Sequence, residues 1–299
     1  MILSVSLFKQ RSHAAWSFTA GKLFCRGVRW SCMRLMTCLA VLPFQPAALC
    51  LAVLGAVVPA AAHEFWIAPD RHLVEPGTEI ALEVLVGEML AGEGWTPEPS
   101  QLTRYALVQG QTEVPVADPR VAPPDGLSSV VLETTGSLLR FSVWQDFVDY
   151  VTFEGLDDIP DLHRELGLPE TGFTEAYFRN ARALIQTGPV REDDRDAPTG
   201  MPFDIVADAN PHGLQAGDML PVRLLWMGDP LPDHPLAVFS TDAAGEVRRL
   251  LLRSDADGRL EVPLQSGRML LNSVELLPAR AGVGAEWISV WSSLSFEVP

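Results

Sequence analysis

The run TEIALEVLV, residues 78–86, alternates apolar and polar side chains and follows a Pro76-Gly77 turn. That period of two belongs to a half-buried β-strand. The pattern returns at Leu102–Val108, Ser129–Glu133 and Leu138–Trp144, between Gly92, Gly94, Pro97, Pro99 and the turn-rich run APPDG from Ala122. It returns again after residue 200, at Leu220–Trp226, Leu236–Ser240, Val247–Arg253, Leu260–Leu264, Met269–Leu277 and Trp287–Val298. Many short strands between Gly and Pro turns predict a mainly β fold. The spacing predicts two β-sandwich domains, immunoglobulin-like or transthyretin-like. DAAGE at Asp242 and DADGR at Asp255 place Asp before Gly, as tight turns require. DADGR lacks the later ligands of a calcium loop and is read as a turn.

Residues 145–190 break the alternation. Ile159–Leu166 and Thr174–Ile185 have mixed helical spacings, and Thr174 could cap a helix. A helical excursion over 155–187 is expected to join the domains. The acidic run TGPVREDDRDAPTG, from Thr187 to Gly200, reads as a connector. The predicted organisation is an N-terminal sandwich over 63–190, a connector over 191–200 and a C-terminal sandwich over 201–299.

The first 62 residues have a different chemistry. They hold Lys9, Arg11, Lys22, Arg26, Arg29 and Arg34, no acid, and a nearly continuous apolar run from Leu35 to Ala62. The run ends Pro59-Ala60-Ala61-Ala62, which fits the small-residue cleavage rule of a secretory leader. Met33 or Met36 would give a more compact leader as the true start. Residues 1–62 are therefore expected to be removed on export to the periplasm, rather than kept as an anchor. All four cysteines, Cys25, Cys32, Cys38 and Cys50, leave with them. No disulfide or thiolate metal site can then form. The leader carries six basic residues, so its loss takes the net charge from −16 to −22 and leaves no lysine. Such a surface repels nucleic acid.

No GxGxxG, P-loop, HExxH, GxSxG or CxxC occurs after residue 62. No catalytic residue and no organic cofactor can be named. The chemistry rests on five histidines: His63, His72, His163, His212 and His234. Cleavage after Ala62 makes His63 the N-terminal residue. Its α-amine and Nδ1 could then hold one metal ion, and these nitrogens suit Ni(II), Cu(II) or Zn(II). His72 is the nearest second imidazole and the expected co-ligand. Glu64, facing away from His63 on a strand, could support it. His163, beside Arg164 and Glu165, is expected on a helix surface. His212 and His234 lie in turns. Trp287 and Trp291 share one strand face and read as core.

HEFWIAPDRHLVEPGTEIALEVLVG, FVDYVTFEGLDDIPDLHREL, TEAYFRNARALIQTG and GMPFDIVADANPHGLQAGDMLPVRLLWMGDPL together resemble the DUF4198 family. So do SDADGRLEVPLQSGRMLLNSVEL and WISVWSSLSFEV. These are periplasmic proteins related to the nickel-uptake component NikM. In relatives the third segment is a helix, and Asn180 and Arg182 stand where they carry tyrosine-like and lysine residues. The resemblance implies a periplasmic binding or accessory protein, handling nickel or another transition metal for an uptake system, with a membrane permease or other envelope protein as partner. A small ligand could take the metal's place. Two alternatives are a histidine-brace copper oxidase and an envelope interaction module without metal. The binding class is favoured over the enzyme.

Overall fold

The computed structural model describes residues 64–242 and 244–299. The leader, its cleavage point, Met33, Met36 and His63 lie outside the described residues. The chain opens with β1 (Glu64–Pro69), β2 (Leu73–Val74), β3 (Ile80–Glu88), β4 (Ala91–Gly94), β5 (Leu102–Gln109), β6 (Thr112–Pro115), β7 (Arg120–Val121), β8 (Gly126–Thr134) and β9 (Ser137–Phe141). Two helices follow, α1 (Trp144–Phe153) and α2 (Ile159–Glu165), and then the long strand β10 (Phe173–Thr187). The second half contributes β11 (Phe203–Ala207), β12 (Met219–Trp226), β13 (Asp229–Pro230), β14 (Pro235–Thr241), β15 (Val247–Arg253), β16 (Arg259–Pro263), β17 (Gly267–Pro278) and β18 (Trp287–Val298). The mainly β expectation holds. Among the described residues no helix is long and apolar enough to cross a membrane.

A ten-stranded sheet runs through both halves of the sequence in the order β15-β14-β17-β18-β10-β8-β5-β6, and β2 and β9 also pair with β10. Its centre is the parallel pair β10–β18, from Glu175 opposite Trp287 to Ala183 opposite Ser295. Two smaller sheets flank it: β1-β3-β4 with β7 on β3, and β11-β12-β13 with β16 on β12. The strands of the first half cover one core with Phe65, Ile67, Val130, Leu132, Ala181 and Ile185. Those of the second half close another around Phe203, Val222, Leu236, Leu271, Leu294 and Phe296. Phe147 and Tyr150 of α1, with Phe173 of β10, cap Trp287 and Trp291 as core residues. Each fully buried Leu or Phe contributes about 1.5–3 kcal/mol.

One expectation fails here. Thr174–Ile185 is not helical but lies within β10. The cause is burial on both faces. Ala181, Ala183 and Ile185 enter the first core, whereas Leu184 enters the second. A strand covered on both sides loses its polar alternation and reads as a mixed apolar run. The helical part of the excursion is α1 and α2, so it begins at Trp144 rather than at residue 155 and ends before β10.

β1 crosses between the sheets. It pairs with β3 along one edge, Glu64 opposite Gly87 through Pro69 opposite Leu82. Along its other edge the Ser293 and Ser295 hydroxyls of β18 donate to the Phe65 and Ile67 carbonyls, both at 2.6 Å. Alternation sends Phe65 and Ile67 into the first core. It sends Trp66 to the opposite side, against Ala237, Phe239 and Leu270. Glu64 shares the parity of Trp66. The fold therefore carries a carboxylate into the layer between β1 and the C-terminal strands.

Candidate functional site

Glu64 has no exposed surface, and neither carboxylate oxygen has a hydrogen-bond partner. Burial pushes its carboxyl up to about 7, helped by the charge of Glu88 and opposed by Arg249 and by the backbone N–H groups of Glu64 and Met89. Those N–H groups lie near the carboxylate without meeting hydrogen-bond geometry.

Glu154 follows the last residue of α1 and is also buried. Burial first, then the charge of Glu64, push it up to about 8, and Arg249 opposes. The position is adverse in a second way. The C-terminal end of a helix carries partial negative charge and disfavours a carboxylate. The Glu154 Oε1 atom is unpartnered, and Oε2 accepts only a long bond of 3.5 Å from the Asn272 amide. The Asn272 Oδ1 atom is buried and unpartnered as well.

Four buried acceptor oxygens thus lack donors here: both of Glu64, one of Glu154 and one of Asn272. Buried polar atoms in folded proteins are paired, and a concentration of unpaired acceptors marks a place for water or a cation. β3 and β4 are joined by a two-residue turn, Met89-Leu90, close to the Gly87 that pairs with Glu64. Met89 and Leu90 hold φ of 52° and 62° without being glycine. Two successive positive φ values are the geometry of a tight hairpin turn, at a cost of about 1–3 kcal/mol for each such residue. Carboxylate and amide oxygens are of the kind that hard divalent cations take as ligands.

His212 and His234 lie in or beside turns as expected, and His163 is placed otherwise than the sequence suggested. His72 lies beyond the far end of β1, and the five residue steps from Glu64 to Pro69 span roughly 16 Å. It is buried, and its Nδ1–H donates to the Leu184 carbonyl at 2.8 Å. The structure thus sets His72 apart from the start of β1. It sits instead beside His212, ring centres 6.3 Å apart. His212 Nδ1–H donates to the Glu297 carbonyl at 2.8 Å. Burial lowers His72 to about 3 and His212 to about 4, so both rings are uncharged near neutrality.

His163 is not a surface residue. It is fully buried between Trp144 and Phe173, ring centres 4.8 and 4.6 Å away. Its Nε2–H donates to the Pro169 carbonyl at 3.1 Å, and its Nδ1 accepts from Trp287 Nε1 at 2.9 Å. Both nitrogens are used in packing. His234 donates from Nε2 to the Val274 carbonyl at 3.1 Å and faces Glu275 Oε2 at 3.3 Å. Among the described residues no three His, Cys, Asp or Glu side chains form a group able to hold a metal.

Glu154, Asn272 and Arg249 were missed in the sequence. An acid among 38 has no local signature. The available signal was the adverse placement of Glu154 at a helix end, which becomes visible only once α1 is known.

A groove of about 930 Å³ lies elsewhere, between β3 and β5, walled by Leu82, Val84, Trp95, Leu102 and Tyr105. Its one guanidinium, Arg104, is already engaged by Glu113 at 2.8 Å and Glu133 at 3.0 Å.

A solved structure described as "Crystal structure of tetra-tandem repeat in extending region of large adhesion protein" is similar at 13% identity and a TM-score of 0.21. The match covers 79% of this chain and 49% of that one, so the chain spans about half the length of the protein it matches. No curated protein matches. The family model described as "Domain of unknown function (DUF4198)" matches residues 60–274, and the chain belongs to that family.

Proposed function

We propose that this protein is a periplasmic binding or accessory protein that holds a divalent transition metal at its processed N-terminus. Residues 1–62 act as the leader, and cleavage after Ala62 frees the amine of His63. The amine and imidazole of His63 join the carboxylates of Glu64 and Glu154, with the Asn272 amide oxygen beside them. Nickel, copper and zinc are the candidate ions because the imidazole and amine of His63 suit them, whereas carboxylate and amide oxygens alone would suit magnesium, calcium or manganese. The ion would pass to a membrane permease or another envelope protein of an uptake system, as in relatives of NikM. The strands would pack as two β-sandwich lobes, 63–190 and 201–299, with the long sheet in common.

The observation that carries this reading is that both carboxylate oxygens of Glu64, the second residue after the expected cleavage point, and Oε1 of Glu154 are buried and unpartnered. Uncompensated carboxylates cost several kcal/mol unless a proton or cation joins them. His72 supports a histidine brace poorly, because β1 separates it from Glu64. That weakens the copper-oxidase alternative, which needs a second imidazole converging on His63.

The test has two parts. N-terminal sequencing of exported protein should begin at His63. Titration with Ni(II), Cu(II) and Zn(II) should then show at least a tenfold loss of affinity, about 1.4 kcal/mol, for His63→Ala and for Glu154→Gln. Equal affinity in all three proteins would contradict the reading.

A further inference from the structure

A cleft of about 540 Å³ lies between the segment joining α1 to α2, the turn before β14 and the C-terminal end of β17. His234 and Glu275 line it beside Asp157, Asp158, Asp233 and Arg253. His234 and Glu275 stand three residues beyond the Ala237–Asn272 pair, where the β14–β17 ladder ends. The His234 backbone is fixed there. Its N–H donates to the Ser254 hydroxyl at 2.9 Å, and its carbonyl accepts from the Ser254 N–H at 3.0 Å. Asp233 before it has φ of 50°, a conformation a non-glycine residue keeps only where its surroundings hold it.

The two ring nitrogens decide where a proton must sit. Nε2 lies 3.1 Å from the Val274 carbonyl, which can only accept, so Nε2 carries the hydrogen. In the neutral ring Nδ1 is then a bare acceptor. It faces Glu275 Oε2 at 3.3 Å, and an ionised carboxylate is also only an acceptor. The contact holds only with one proton between the two atoms. We propose that His234 and Glu275 share this proton as a pH-sensitive latch, which keeps the sheet wall of the cleft uncharged and the helical segment seated, and which loosens that segment when the proton leaves. The ionised Glu275 would then face Asp158, with Asp157 and Asp233 in the same cleft. The guanidinium there, Arg253, is already engaged by the Asp233 and Gly155 carbonyls at 2.6 and 2.9 Å, and lies 3.6 Å from the Asp233 carboxylate.

The electrostatics agree with that geometry. Burial pushes Glu275 up to about 7 and the charge of Asp158 adds to it, while burial lowers His234 to about 4 against the pull of the Val274 carbonyl. Both directions put the proton on Glu275, donating to a neutral ring. The raised carboxyl contributes fully below its ordinary 4.5 and is lost as pH rises through 7. The lowered imidazole acts in the other sense, losing its contribution as pH falls from 6.5 towards 4. The latch is therefore firmest between those limits and opens on the alkaline side. None of this rests on the metal reading.

The experiment is NMR of the exported protein in chelator, from pH 5 to 9. The Glu275 carboxyl carbon should titrate near pH 7, and its midpoint should fall in Asp158→Asn, where the neighbouring charge is gone. Hydrogen exchange of the α2 amides, corrected for intrinsic base catalysis, should rise at least about fivefold from pH 6 to 8 in wild type. In Glu275→Gln the side-chain amide donates to Nδ1 at every pH, and the rise should disappear. A Glu275 carboxyl titrating below pH 5 overturns the shared proton, and that measurement needs only the wild type. Equal exchange profiles in wild type and Glu275→Gln overturn the latch.

Discussion

Two buried carboxylate pairs in this protein have been treated in opposite ways. At Arg182 the acids are closed off. The fully buried guanidinium bonds Asp204 at 2.8 Å, the Ser129 hydroxyl and the Ile205 carbonyl at 2.9 Å each, and Asp196. The remaining oxygens accept from Thr199 and Ala207 backbone N–H groups at 2.6 and 3.0 Å. All four carboxylate oxygens are therefore satisfied, and the connector is pinned to β10 and β11. Burial still pushes Asp196 up, because one cation serves two acids. At Glu64 and Glu154 the acids are left open, with a cation nearby that bonds neither. The first arrangement fixes structure. The second leaves two buried carboxyls raised by burial and without the hydrogen bonds that satisfy the first.

The sharpest way to break this contrast is to remove the cation from the closed pair. Arg182→Met leaves Asp196 and Asp204 buried without it and should cost about 3–5 kcal/mol. Urea unfolding measures that loss, and a change within error would remove the distinction between the pairs.

The open pair should respond to pH. Its carboxyls stand at about 7 and 8 in the folded protein against 4.5 in the unfolded chain. The native state then holds more protons, so stability is full below about pH 4.5 and falls as pH rises through 7 and 8. The expected fall is on the order of a few kcal/mol, and unfolding followed from pH 5 to 9 in chelator would show it. Stability that rises over that window contradicts the assignment.

Glu154→Gln should sharpen the same point with a smaller effect. It should gain about 1–3 kcal/mol above pH 8 and change little at pH 5, where the native carboxyl is already protonated. Thermal melts at the two pH values separate a charge effect from a packing effect. The smallest change is expected at the exposed pairs of Arg164 with Asp161 and Glu170. Arg164→Ala should leave the melting temperature unchanged within error, since surface pairs contribute little.

The strands were readable where one face is wet. TEIALEVLV alternates because β3 covers only one side, and it appears over Ile80–Glu88 as expected. TEAYFRNARALI misled because β10 is covered on both sides, so its residues lost the period that identifies a strand. His163 misled for a related reason. Its neighbours Arg164 and Glu165 are exposed, whereas its own ring turns into the aromatic cap of Trp144, Phe173 and Trp287. Of the open site, only the stretch around His63 and Glu64 stood out in the sequence. Glu154, Arg249 and Asn272 come from three separate elements, and folding alone brings them together.

The most direct measurement is anomalous diffraction from crystals of the processed protein soaked in Zn(II). The account predicts a zinc peak about 2.0–2.2 Å from carboxylate oxygens of Glu64 and Glu154 and from a nitrogen of His63. Zinc held only at other surfaces, with those carboxylates bridged by water or by Arg249, would contradict it.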